Sequence, residues 1–272
     1  MLAKLDKARF GPWALVTGAS SGIGREFARQ IAASGINVVL VARREPLLQE
    51  AGAEFSKTYG VEHRVIVADL SEEGFLSRLS YATQDLDIGL VISNAGTANP
   101  GEFLKLDHDE LVRLLKLNSL AHLEIAHHFG PGLVQRHRGG IVLCGAMGAI
   151  QGVPYMANES GAKSYVQSFG EALHIELFPL GVSVSVLIIG PTQTAIIEKI
   201  GFDPATMPMK PMPVGQCVFE GLEALKRNRA THLSGRMNRI MNALIPASLS
   251  RGMMRTMMAK ALAGRARTAV TA

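Results

Sequence analysis

Thr17-Gly18-Ala19-Ser20-Ser21-Gly22-Ile23-Gly24 stands between an apolar run, residues 13–16, and a helical pattern that begins near Arg25. Gly18 allows a turn that residues with a Cβ resist. Gly22 lets backbone N–H groups approach a pyrophosphate, and Gly24 lets the helix pack closely on the strand. The helix N-terminus adds partial positive charge. The stretch therefore reads as a phosphate cradle in which Gly18, Ser20, Ser21, Gly22, Ile23 and Gly24 hold a dinucleotide. For the glycines taken alone, an ordinary strand-to-helix turn is the plainer alternative.

Working outward, apolar runs of strand length rich in β-branched residues recur at 13–17, 36–42, 63–68, 88–93, 140–144 and 182–188, with helical patterns between them. Nearly continuous apolar strands alternating with helix-length segments predict a parallel sheet covered on both faces, a doubly wound Rossmann-like α/β fold. The expected division is a single domain over residues 1–235, with a substrate lid at about 190–213, followed by a basic helical tail over 236–272.

Length and composition agree: 272 residues, 47% of them apolar, suffice for one large core. Cys144 and Cys217 are the only cysteines, so no disulfide framework is expected and a reducing cytoplasmic setting is favoured. Residues 1–11 carry Lys4, Asp6, Lys7 and Arg9 without an apolar core, and no run of about eighteen apolar residues follows, so neither a signal peptide nor a spanning helix is expected. Residues 224–272 contain ten Lys or Arg and no Asp or Glu, which leaves 18 basic and 23 acidic residues in the rest of the chain. The basic balance belongs to the tail.

The second strand ends in Val41-Ala42-Arg43-Arg44, where an NAD site sets an acid against the ribose 2′-hydroxyl. Two cations there favour a 2′-phosphate, hence NADP(H); a solvated pair at a strand end is the alternative.

The glycine-rich string, together with Asn94-Ala95-Gly96 after the fourth strand, resembles the short-chain dehydrogenase/reductase family over roughly residues 11–235. That resemblance implies an adenine contact at Asp69 and a cofactor border at Asn94, Ala95 and Gly96. It implies relay-water binding at Asn118, ribose binding at Lys163, and a carboxamide contact at Thr194 within Gly190-Pro191-Thr192-Gln193-Thr194. Dimer or tetramer contacts through the helices around residues 107–129 and 157–178 are also implied. By residue type alone, Asp69 is equally a helix N-cap and Asn118 a polar residue midway along a helix running from about 107 to 129.

The pattern departs at its chemistry. The family sets Tyr four residues before the Lys and Ser thirteen residues before the Tyr, but here Glu159 and Ala146 hold those positions. This is an atypical member lacking both hydroxyls. A phenol starts with a pKa of about 10 and is drawn towards neutrality by a neighbouring Lys, whereas a carboxyl starts at about 4.3 and is drawn lower. Paired with Lys163, Glu159 should be a carboxylate that accepts protons, unless burial in an apolar pocket raises its pKa by several units. An inert Glu159–Lys163 ion pair along one helical face is the plainer alternative. Tyr155, one turn earlier, offers a hydroxyl if the backbone is displaced. Cys144 ends a buried strand, and Ser160 points about 100° away from Glu159 on a helix.

The lid carries Phe202, Met207, Met209 and Met212 among four prolines, which suits a lipophilic small-molecule substrate or else irregular surface packing. In the tail, Met237, Ile240, Met241, Leu244 and Ile245 form one helical stripe, and Met253, Met254, Met257, Met258, Ala261 and Leu262 form a second. Arg251, Arg255, Lys260, Arg265 and Arg267 interleave with the second. Packing across the domain or a dimer mate is favoured for this tail, with an anionic membrane surface or a partner groove as alternatives. No aromatic residue accompanies the charges, so nucleic acid is not expected; nor is a metal.

Three functions follow. The first is an NADP(H)-dependent oxidoreductase of a lipophilic alcohol or carbonyl, with Asn118, Glu159 and Lys163 as its catalytic set and Tyr155 in reserve. The second is non-redox dehydration or isomerisation with Glu159 as general base. The third is a catalytically silent NADP(H)-binding protein.

Overall fold

The computed structural model describes residues 1–202 and 210–270. Met207 and Met209 of the predicted lid, and the side chains of Arg265 and Arg267, lie outside the described residues.

Seven strands form one parallel sheet: β1 Trp13–Thr17, β2 Asn37–Ala42, β3 His63–Val67, β4 Ile88–Ser93, β5 Gly140–Ala146, β6 Ser183–Ile189 and β7 Thr231–Leu233, in the order β3-β2-β1-β4-β5-β6-β7. A short α1, Lys7–Phe10, precedes the sheet. The connecting helices are α2 Gly22–Ala32, α3 Glu45–Tyr59, α4 Phe75–Thr83, α5 His108–Leu115, α6 Ala121–Gln135, α7 Ala157–Leu177, α8 Ala195–Ile200 and α9 Val214–Lys226, followed by α10 Arg236–Leu244 and α11 Ala247–Val270.

Alternation along the strands divides the core. Ala14 and Val16 of β1 face Phe27 and Ile31 of α2, Leu48 and Phe55 of α3, and Leu222 and Leu225 of α9. Leu15 faces the other way, towards the layer holding Phe75 and Leu79 of α4, Ile125 and Leu133 of α6, and Val166 of α7. Each fully buried side chain of this size contributes about 1.5–3 kcal/mol of transfer free energy. The predicted doubly wound sheet is therefore present.

Three details differ from the sequence reading. A seventh strand, β7, closes the sheet edge and was not predicted; Glu220 of α9 pins its end by accepting from His232 Nε2 at 3.0 Å, Gly235 N at 2.9 Å and Arg239 at 2.8 Å. The single helix expected over about 107–129 is two α-helices joined by a π-helical turn, Lys116–Leu120, and reaches Gln135. The two tail stripes have different fates. Met258 and Ala261 of α11 are buried, while Met237, Ile240, Met241 and Leu244 of α10 are exposed.

The sheet order reverses beside β1, whose neighbours are β2 and β4, so a crevice opens beyond the strand ends there. Thr17 secures it. Its buried hydroxyl accepts from Asn94 N at 2.8 Å and Ala95 N at 3.0 Å, while Asn94 Nδ2 donates to Thr17 O at 3.0 Å. Thr17→Val would leave two amides without their acceptor. The expected loss is about 1–3 kcal/mol, read as a lower urea midpoint with an unchanged m-value.

Candidate active site

Above that crevice the chain turns at Gly18, φ +68°, and enters α2 at Gly22, φ +55°. A Cβ on Gly24 would stand 2.2 Å from Gly18 O, so only glycine lets the helix start this close to the strand. Thr194, at the N-terminus of α8, leans over the turn: a Cβ on Gly22 would meet its Cγ2 at 3.4 Å.

Beside the turn, Arg44 Nη2 donates to Ser20 Oγ at 2.9 Å and Ser21 Oγ at 2.6 Å, holding a guanidinium and two hydroxyls together. Arg43 lies 3.5 Å from Asp69 Oδ2, and Arg113 of α5 donates to the same oxygen at 2.6 Å. Burial pushes the Asp69 carboxyl up, but hydrogen bonds from Ser71 and Arg113 outweigh it and hold the group at about 2. Cations, hydroxyls and a glycine turn beside a helix N-terminus fit a phosphorylated dinucleotide.

Deeper in the crevice the π-helical turn presents Asn118, fully buried. Its Oδ1 accepts from Thr97 N at 2.9 Å and its Nδ2 donates to Thr97 O at 2.8 Å, which fixes the backbone just after Asn94-Ala95-Gly96. A Cβ on Gly96 would lie 3.2 Å from Asn118 Oδ1 and 3.4 Å from Lys163 Nζ, so these two groups converge closely on Gly96 and a side chain there would crowd them. Lys163 Nζ donates to Cys144 O at 2.9 Å and lies 3.4 Å from His122 Nε2. Burial lowers the Lys163 pKa, opposed by Cys144 and Glu159. Burial and then Lys163 hold His122 well below its usual value, so the ring is neutral; with Nε2 accepting from Lys163, its Nδ1–H donates to Ser93 Oγ at 2.8 Å.

Glu159 falls under the exception stated for a buried carboxyl. Burial pushes its pKa up to about 7, against the lowering fields of Lys163 and Lys199. Its Oε2 is buried with no hydrogen-bond partner, and no ion pair joins it to Lys163 among the described residues. Ala146 ends β5 and supplies no hydroxyl. The Cys144 thiol is buried and pushed up to about 12, which makes it inert. Ser160 Oγ is occupied by Val153 N at 3.0 Å.

Tyr155 sits just before α7 with φ +64°, its carbonyl accepting from Gly101 N at 2.9 Å. It walls a cleft of about 140 Å³ shared with Phe103, Leu106 and Asn158, and a more open groove of about 530 Å³ against Arg255, Thr256 and Ala259 of α11. Neither cleft includes Glu159 or Lys163. Among the described residues, no hydrogen bond joins Tyr155 to Asn118, Glu159 or Lys163.

Three site residues had escaped the sequence reading. Lys199 of α8 donates to Thr97 Oγ1 at 2.5 Å, and neither it nor Arg113 carries a local signal. His122 had one, since it follows Asn118 by four residues on a helical pattern.

Comparison with known proteins gives a consistent result. A family model described as short chain dehydrogenase matches residues 12–204. A very-long-chain 3-oxoacyl-CoA reductase of Meyerozyma guilliermondii is 36% identical over 212 residues, 74% of this chain and 62% of that protein. An inactive hydroxysteroid dehydrogenase-like protein 1 of Homo sapiens is 34% identical over 184 residues, 66% of this chain and 56% of that one. The chain spans about three fifths of the length of such curated relatives. Among solved structures, a short-chain dehydrogenase from Sphingobium yanoikuyae in complex with NADPH superposes with a TM-score of 0.79 at 30% identity, covering 89% of this chain and 94% of that one.

Burial pushes the folded-state pKa of Glu159 up to about 7 from an ordinary value of 4.5. The folded state thus holds the extra proton between those values, and stability falls as pH rises through that window, with the penalty complete above it. Glu159→Gln removes the ionisation. Relative to the native chain it is expected to gain about 1–3 kcal/mol at pH 8 and nothing at pH 4.5 in urea denaturation; equal differences at both pH values would disprove the raised pKa.

Proposed function

The chain belongs to the short-chain dehydrogenase/reductase family, and on that premise we propose that it is an NADP(H)-dependent oxidoreductase of a lipophilic carbonyl or alcohol, with Glu159 in place of the usual tyrosine. One observation carries this reading: the Glu159 carboxyl is buried with an unpartnered oxygen, and that burial raises its pKa and so favours the protonated form an acid needs.

The chain's own groups divide the work. Arg44, with Ser20 and Ser21, takes the 2′-phosphate, while Gly18 and Gly22 leave room for the pyrophosphate. Asn118 and Lys163, which converge on Gly96, would hold the nicotinamide ribose. The bound dinucleotide supplies the hydride. As the substrate oxygen gains charge, Glu159 gives up the carboxyl proton to it, and Lys163 favours the resulting carboxylate. The relative's printed substrate suggests 3-oxoacyl thioesters as the first carbonyls to try.

Exposed Val112, Leu115 and Leu120 beside the π-helical turn, and Ile175 on α7, support a homodimer or tetramer. No helix among the described residues is long and apolar enough to cross a membrane. The exposed apolar stripe of α10 and the cations of the tail support peripheral contact with an anionic membrane. A second reading, a silent NADP(H)-binding protein, draws on the two missing hydroxyls and on the relative described as inactive.

NADPH titration is expected to show binding that Arg44→Ala weakens about 10- to 100-fold with little change for NADH. In a carbonyl panel, NADPH is expected to be consumed, and Glu159→Gln to lower turnover about 100-fold or more while still binding NADPH. Absence of binding removes the cofactor reading, and full turnover by Glu159→Gln removes the acid. Turnover only in Glu159→Tyr with Ala146→Ser establishes the silent protein.

A further inference from the structure

His122 is a buried imidazole that takes no part in the reduction itself. It stands in the first turn of α6, four residues after Asn118, and is 1% exposed. Asn118 holds Thr97 through both its amide groups, while the His122 ring reaches Ser93, the last residue of β4, with Nδ1 and Oγ 2.8 Å apart. One helical segment therefore closes on both ends of residues 93–97.

The other ring nitrogen settles where the proton lies. An ammonium has three N–H bonds and no lone pair, so the 3.4 Å approach of Lys163 Nζ to His122 Nε2 requires a bare, accepting Nε2. The ring proton is then on Nδ1 and is donated to Ser93 Oγ. Burial, followed by the Lys163 charge, favours the same neutral ring. Lys163 gives a second N–H to Cys144 O at 2.9 Å. Its ammonium is thus held from β5 and from α6, and it stands against Gly96, where a Cβ would lie 3.4 Å from Nζ.

We propose that His122, oriented by Ser93, is a positioning residue: as a neutral acceptor it fixes the Lys163 ammonium so that the remaining N–H meets the nicotinamide ribose of the bound dinucleotide. The inference rests on the ribose role given to Lys163 above. A lysine stem is long and flexible, and a single acceptor leaves its head free to swivel about that one bond. A second acceptor ends the swivel and so gives the third N–H a direction. A carboxylate in place of His122 would fix the head as well but would cancel its charge, whereas a neutral imidazole leaves that charge for the ligand.

The test separates the two ends of the cofactor. NADPH is titrated into the full chain beside adenosine 2′,5′-bisphosphate, which keeps the groups that Arg44, Ser20 and Ser21 meet and lacks the nicotinamide ribose. His122→Leu is expected to weaken NADPH about 10-fold and to leave the bisphosphate within about twofold. His122→Gln, whose side-chain carbonyl can accept in place of Nε2, is expected to recover most of that loss, and Ser93→Ala, which frees the ring, to weaken NADPH about threefold. In a Lys163→Met background, His122→Leu is expected to cost nothing further. The tautomer is read without cofactor: with 15N in the imidazole rings and His122 assigned by its loss in His122→Gln, the nitrogen shifts are expected to show Nδ1 protonated and Nε2 bare. A protonated Nε2 overturns the proposal, and so does a His122→Leu chain that binds NADPH like the native one or loses both ligands alike. Should His122→Leu fail to fold, the tautomer and the two affinities of Ser93→Ala carry the same test. A native chain that binds neither ligand removes the cofactor reading itself, whatever the tautomer shows.

Discussion

Everything about this site hangs on the crossing of two strand ends, where the hydroxyl of Thr17 receives the backbone amides of Asn94 and Ala95 and the Asn94 side chain answers to the Thr17 carbonyl. Parallel strands end with unpaired peptide groups, and β1 and β4 end next to one another at the point where the sheet order reverses. Had those groups been left to water, the two loops beyond them would have no fixed relation. Bound to each other, they join the glycine turn on one side to the Gly96 floor on the other, and Asn118 extends the fixed region by holding Thr97.

Four residues before Lys163 the chain carries the carboxyl of Glu159 where the family has a phenol. A phenol must be made more acidic to serve near neutrality, and a lysine does so. A carboxyl must be made less acidic, and a lysine opposes this. Burial decides the direction: desolvation raises the Glu159 carboxyl above its ordinary value, against the lowering fields of Lys163 and Lys199. The lysine is itself diverted, with its ammonium given to the Cys144 carbonyl and the neutral ring of His122. Glu159 and Lys163 are thus neighbours by sequence spacing without being an ion pair, and the energy of the arrangement lies in the environment of each.

Features governed by short-range rules were legible in the sequence. The six long strands show as apolar runs because both faces of a parallel sheet are buried, and the cradle shows because glycine is needed where the backbone must turn or approach closely. β7 was missed because three residues, Thr231 to Leu233, carry no periodicity. Fates that depend on tertiary partners did not show. The apolar stripes of α10 and α11 are alike as patterns, yet Met258 is buried and Leu244 exposed, since spacing defines a face and not what covers it. The protonation of Glu159 was left open for the same reason: its partner Lys163 is four residues away and visible, whereas the burial that opposes it is contributed by the whole fold.

The π-helical turn at Lys116–Leu120 has an evolutionary consequence. One extra residue in a turn rotates everything after it by about 100° relative to an uninterrupted α-helix. Deleting any single residue there would swing Ile125 and Leu133 of α6 away from the sheet as surely as it would displace Asn118. The irregularity that shapes the pocket is also the one that phases the core, so length variation in this segment is selected against twice. A substitution in place, such as one at position 146 or 159, leaves that phasing intact, whereas an insertion or deletion here would not.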